Sequence, residues 1–143
     1  MTSEADAQAF QQKATALKAC YAAFEVVPGV HANSENTIGE DIADLGGFEI
    51  AFQAYTRQLV ANGFKGEGLR LQQRRFYEAF AYFWRAKYTE QYASKQIAGT
   101  DPHSLAKERV NGVVSNTEAW YDLFDVKPGD KLYRAPEDRI HIW

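Results

Sequence analysis

The sequence predicts a mainly α fold with minor β, and three observations carry that reading. Apolar residues recur at spacings of three and four through most of the chain, only four prolines interrupt it, and β-branched residues gather beside turn residues in just two short stretches. With 143 residues the chain fits a single domain, residues 1–143. Its 45% apolar and 24% charged composition excludes intrinsic disorder, and 14% aromatic residues promise large buried side chains.

Taken in order, residues 4–24 place Phe10, Ala14, Leu17, Tyr21 and Phe24 on one helical stripe without Gly or Pro. Residues 25–34 mix Val26, Val27 and Val30 with Pro28, Gly29 and Asn33, the composition of a turn-rich connection holding a short strand. A second helix is expected over 37–61, carrying Ile38, Ile42, Leu45, Phe52, Tyr55 and Leu59 and interrupted by Gly46 and Gly47. After a glycine-rich loop at 62–68, residues 69–97 form the longest periodic run and predict one long helix. One face of it holds Phe76, Phe80 and Phe83, another Tyr77, Ala81, Trp84, Tyr88 and Tyr92, so it should be buried on two sides. Thr100, Asp101 and Pro102 should open a helix of about a dozen residues, Thr117 should cap a short one reaching 124, and 127–130 reads as a turn. Alternation from Arg139 to Trp143 predicts a terminal strand.

Composition also narrows function. A formal charge of −3 with no basic stripe lacks the phosphate-neutralising footprint of a nucleic-acid binder. A lone cysteine, Cys20, excludes an intrachain disulfide and a thiolate zinc site, and no apolar run is long enough for a membrane span. The chain carries neither a signal-peptide pattern at its first residues nor His-Glu-x-x-His, a Gly-x-Ser-x-Gly elbow or a phosphate-binding glycine loop. It therefore holds no complete catalytic apparatus. His31 and His141 match no metal spacing.

Two polar constellations stand out. In the segment Thr37-Ile-Gly-Glu40-Asp41-Ile-Ala-Asp44, Glu40 and Asp44 lie four apart and share a helix face. Thr37 and Glu40 fit a capping box, whereas the repulsion between two carboxylates and the cost of two helical glycines fit a cation held between them. Both readings stand on residues alone. The second constellation is Asp101-Pro-His103 with Arg109 six residues on. Asp101 reads there as an N-cap, or as the carboxylate that orients His103 so that His103 and Arg109 donate to an oxyanion and a carbonyl.

These residues resemble, in order and spacing, the C-terminal part of the neprilysin family of zinc metalloendopeptidases. The segment 37–47 looks like that family's Glu-Asn-Ile-Ala-Asp-x-Gly-Gly, and it is followed by an aromatic helix ending in Phe83-Trp84-Arg85, then Asp101-x-His103, Arg109, Asn111-Gly112 and Asn116, and a basic end closing on Trp143. The likeness covers residues 35 to 143 and is nearest the bacterial branch, because animal members are disulfide-bonded. It implies the C-terminal helical part of a thermolysin-like metallopeptidase catalytic domain. It also implies roles. Glu40 would be the third ligand of one zinc ion, Asp44 the carboxylate orienting a zinc-bound histidine, His103 the oxyanion donor with Asp101 as its partner, and Arg109 the donor to the substrate carbonyl. Asp41 departs from the family's usual Asn. The helix with both zinc histidines and the general base would precede Met1, so this chain is expected to be a C-terminal piece of a longer enzyme. Its partners would be a peptide substrate and the N-terminal part of the same polypeptide, and its location extracytoplasmic. The alternatives are a helical interaction module without chemistry, and a cation-binding domain using Glu35, Glu40, Asp41 and Asp44.

Overall fold

A computed structural model describes residues 3–142 and contains six α-helices, one two-stranded hairpin and one 3-10 turn. α1 (Glu4–Ala22) begins with a capping box in which the Ser3 hydroxyl accepts from the Asp6 amide and the Asp6 carboxylate accepts from the Ser3 amide. Its stripe of Ala14, Leu17, Cys20 and Tyr21 is buried, while Phe10 lies on the exposed side. β1 (Glu25–Val27) and β2 (Val30–His31) pair antiparallel around Pro28 and Gly29. Gly29 has φ of +76°, the conformation required after Pro in a type II turn.

α2 (Ser34–Ala61) is the backbone of the fold and packs on α1, α3 and α5. It starts a turn earlier than its periodicity suggests, so Thr37 lies inside the helix and the expected capping box with Glu40 does not form. It also runs unbroken through Gly46 and Gly47.

The expected long helix over 69–97 is instead two: α3 (Gly66–Phe83) and α4 (Glu90–Ala98). Thr89 accounts for the break, since its hydroxyl accepts from the Tyr92 amide at 3.1 Å and starts a new helix. Only part of the aromatic run is core. Phe76, Tyr77 and Phe80 close around Phe48 at ring separations of 4.8–5.3 Å, whereas Phe83 is 76% exposed and Tyr82 62%.

The helix expected from Asp101 begins later, as α5 (Ala106–Val114), because Asp101 folds its carboxylate back onto His103 rather than capping a helix. α6 (Glu118–Phe124) follows Thr117 as expected, but the Thr117 hydroxyl donates to the Val114 carbonyl and accepts from the buried Tyr77 hydroxyl at 3.0 Å. Residues 127–130 form the expected turn. No strand forms over 139–142 because the tail is tied by side chains: the Ile140 amide donates to Asn116 Oδ1 and Lys13 Nζ to the Ile142 carbonyl. Trp143, which the strand reading included, lies outside the described residues. No helix among the described residues is long and apolar enough to cross a membrane.

The core joins Leu17 and Tyr21 of α1, Leu45 and Phe48 of α2, Tyr77 of α3, Val113 of α5, Leu123 of α6 and Ile140 and Ile142 of the tail. Its tightest point is where α1 meets α5. A Cβ on Gly112 would stand 2.1 Å from the ring of Tyr21, which is itself fully buried and cannot swing away. Gly112→Ala is therefore expected to cost at least about 2 kcal/mol, the scale of overpacking in a rigid core. Urea unfolding of the 143-residue chain measures it, and Tyr21→Leu added to Gly112→Ala should recover part of the loss. An unshifted midpoint would show that the helices separate at no cost.

Candidate active site

Three elements bring the candidate residues together. α2 presents Glu40 and Asp44 one turn apart, α5 sends Arg109 across from its second turn, and the connection 99–105 carries Asp101 and His103. Residues 65 apart in sequence thus meet: Arg109 Nε and Nη2 fork onto the two Asp44 carboxylate oxygens at 2.5 and 2.6 Å. Both side chains are largely buried, 12% and 15% exposed, and the Arg109 guanidinium stacks on the Trp84 ring at 4.1 Å. Planar, bidentate and stacked, this arrangement suits arginine and would not suit lysine. The Asp44 hydrogen bonds hold the Arg109 guanidinium even more firmly protonated than usual, against the opposing effect of burial.

His103 stands half-exposed between two carboxylates. Its amide and Nδ1 both meet Asp101 Oδ1, at 3.0 and 2.8 Å, and its Nε2 lies 3.5 Å from Glu40 Oε2. Hydrogen bonds from the His103 ring and amide pull the Asp101 carboxyl below its ordinary range, so Asp101 accepts and Nδ1 carries the proton. That orients the ring and leaves Nε2 facing the Glu40 side. Arg109 Nη2 is 4.0 Å from the same Glu40 oxygen, which places one guanidinium against both Glu40 and Asp44.

Beneath them lies Asp41, fully buried. The Thr37 hydroxyl donates to Asp41 Oδ2 at 2.8 Å, the Ser104 hydroxyl donates to Thr37 at 3.1 Å, and Asp41 Oδ1 finds no partner among the described residues. Burial pushes the Asp41 carboxyl up to about 6, toward the neutral acid that most resembles an asparagine.

The arrangement assembles all five residues that the sequence singles out: Glu40, Asp44, Asp101, His103 and Arg109. It does not assemble the cation cluster of Glu35, Glu40, Asp41 and Asp44. Glu35 pairs with Lys18 at 2.8 Å, Asp41 is sealed in, and Asp44 is taken by Arg109. No three His, Cys, Asp or Glu among the described residues are grouped to hold a metal. Glu40 fits a metal as a single ligand: it is 43% exposed, and its contacts with His103 and Arg109 are at 3.5 and 4.0 Å, long enough to leave its lone pairs available. Trp84, which the sequence places on a buried helix face, and Thr37, which it places at a cap, are parts of the site, and so is Ser104, which the sequence does not single out.

The family model described as Peptidase family M13 matches residues 1–140. The chain is 36% identical over 138 residues to the neutral endopeptidase of Lactococcus lactis subsp. cremoris, covering 96% of this chain and 20% of that protein. It is 32% identical over 123 residues to neprilysin of Homo sapiens, covering 84% of this chain and 16% of that protein. Among solved structures, the Mycobacterium tuberculosis zinc metalloprotease Zmp1 in its open state superposes with a TM-score of 0.83 at 36% identity, over 99% of this chain and 23% of that one. The inhibitor complex of Zmp1 gives 0.80 at 37% identity, over 95% and 22%. The helical architecture matches the helical part of these structures, and the chain spans about a fifth of the length of the curated relatives it matches.

Proposed function

The chain belongs to peptidase family M13, and we propose that it supplies the C-terminal part of the catalytic domain of a zinc-dependent metalloendopeptidase. The observation that supports this most is the meeting of Glu40, His103 and Arg109, with His103 Nε2 and Arg109 Nη2 both turned toward one oxygen of Glu40. In this reading Glu40 is one metal ligand, and the other ligands and the general base come from the N-terminal part of the same polypeptide. When bound, zinc polarises the scissile carbonyl and activates water.

The remaining chemistry belongs to this chain. Asp101 accepts from Nδ1 and holds the His103 ring so that, in its imidazolium form, the Nε2–H donates to the oxyanion as it develops. Arg109 spends its Nε–H and one N–H of Nη2 on Asp44, leaving its outer N–H groups for a substrate backbone carbonyl, while Trp84 keeps the guanidinium plane fixed. Asp44 has a second task, to accept from the far nitrogen of a zinc-bound histidine. The exposed Tyr82, Phe83 and Tyr92 are where the N-terminal part of the polypeptide docks, and the parent enzyme acts on peptides outside the cytoplasm.

The test is a comparison of lengths. The purified 143-residue chain should not hydrolyse peptides, because one carboxylate cannot make the three-ligand open site of catalytic zinc, whereas the full-length protein should cleave them in a chelator-sensitive way. Chelator-sensitive cleavage by the short chain, or none by the full-length protein, overturns the assignment.

A further inference from the structure

His103 is carried by a connection with no regular structure, and its ring is nearly half-exposed. Its ring contacts are Asp101, which belongs to the same connection, and Glu40 at 3.5 Å. The first moves with the loop, and the second is longer than a well-formed hydrogen bond. What fixes His103 relative to Glu40 must lie elsewhere, and two ties do so from opposite sides of the loop.

At the exposed side, Asn36 Nδ2 donates to the Asp101 carbonyl at 2.7 Å. At the buried side, the hydroxyl of Ser104, next to His103 in sequence, donates to the Thr37 hydroxyl at 3.1 Å, which donates to Asp41 Oδ2 at 2.8 Å. Ser104, Thr37 and Asp41 are 7%, 5% and 0% exposed, so this chain of bonds is sealed from water. Two hydroxyls donating in sequence need an acceptor at the end, and in such a chain each bond polarises the next. Asp41 supplies that acceptor despite the cost of burying it. Both ties end on the first two turns of α2, with Asn36 one turn before Glu40 and Thr37 one turn before Asp41. The loop is thereby fastened to the same rigid helix that carries Glu40.

Resting on the proposed peptidase function, we propose that Asn36, Thr37 and Ser104 are positioning residues, which set the distance from His103 to Glu40 by tying the His103 loop to α2. They touch neither substrate nor metal. Their loss displaces the oxyanion donor while the metal ligand, on α2 itself, stays in place.

The experiment uses the full-length protein and reads kcat, KM, zinc stoichiometry and hydrogen exchange of the 99–105 amides in metal-free protein. Ser104→Ala should lower kcat by about 10-fold or more, since misplacement of a catalytic group by an ångström costs up to about 100-fold, with KM changed less than about 3-fold. Zinc should remain stoichiometric, exchange in the loop should speed up while that of α2 does not, and Ser104→Thr, which keeps the hydroxyl, should restore both. Asn36→Ala removes the exposed tie without touching the core and should also speed loop exchange, so it decides the matter if Ser104→Ala does not fold. Unchanged kcat and loop exchange in the alanine variants, or a Ser104→Thr as impaired as Ser104→Ala, would overturn the proposal. If wild type hydrolyses no peptide, the peptidase reading fails, and loop exchange still decides whether the ties position the loop.

Discussion

Glu40→Ala in the full-length protein is expected to abolish zinc binding and peptide hydrolysis together, whereas His103→Ala and Arg109→Ala should keep stoichiometric zinc. The contrast follows from where each group sits. A catalytic zinc held by three protein ligands is lost when one first ligand goes, while loss of one preorganised oxyanion donor costs on the order of 10²–10³ in rate and leaves the metal. Glu40 is also a clean position to change. It is 43% exposed, it does not cap its helix, and its neighbours His103 and Arg109 stand 3.5 and 4.0 Å away, so its removal disturbs little packing. Metal analysis of the purified variants checks this. Stoichiometric zinc in Glu40→Ala would refute the ligand assignment.

That position shows what the sequence can and cannot reveal. The spacing of Glu40 and Asp44 put both acids on one face, and the ordered motifs pointed to His103, Asp101 and Arg109, which α2, α5 and the 99–105 connection do bring together. Local signals misled where a side chain had a better distant partner. Thr37 has the spacing of a helix cap, yet its hydroxyl donates to Asp41 and accepts from Ser104, 67 residues away from it. Asp101 before Pro102 has the form of an N-cap, yet its carboxylate is held by its own neighbour His103. Apolar periodicity ran on from α3 into α4 because it counts residues without seeing that Thr89 starts a new helix. The stack of Arg109 on Trp84 joins residues of two elements, and no spacing rule connects them.

The second large effect is expected at Asp44, and here the structure reverses the sign that spacing suggests. Read as a line of charges, Glu40 and Asp44 repel, so neutralising one should stabilise the helix by a few tenths of a kcal/mol. Arg109 changes that, because its guanidinium forks onto Asp44 and also faces Glu40. Asp44→Asn would leave a guanidinium only 12% exposed without its charged partner. Breaking a fully buried pair costs about 3–5 kcal/mol and an exposed one at most about 1, so a loss of about 1–3 kcal/mol is expected for this partly buried fork. The role proposed for Asp44 toward a zinc-bound histidine adds a separate effect, a 10–100-fold weakening of zinc affinity, the usual scale for a carboxylate behind a metal ligand. Arg109→Ala separates the two. It breaks the same fork but leaves the Asp44 carboxylate, so it should lower stability and spare zinc, whereas Asp44→Asn should lower both. The double variant should show non-additive stability, as expected of residues in direct contact, and the zinc affinity of Asp44→Asn alone. Zinc competition titrations, with thermal melts of the metal-free proteins alongside, measure both quantities. Equal zinc affinity in wild type and Asp44→Asn would confine Asp44 to holding Arg109.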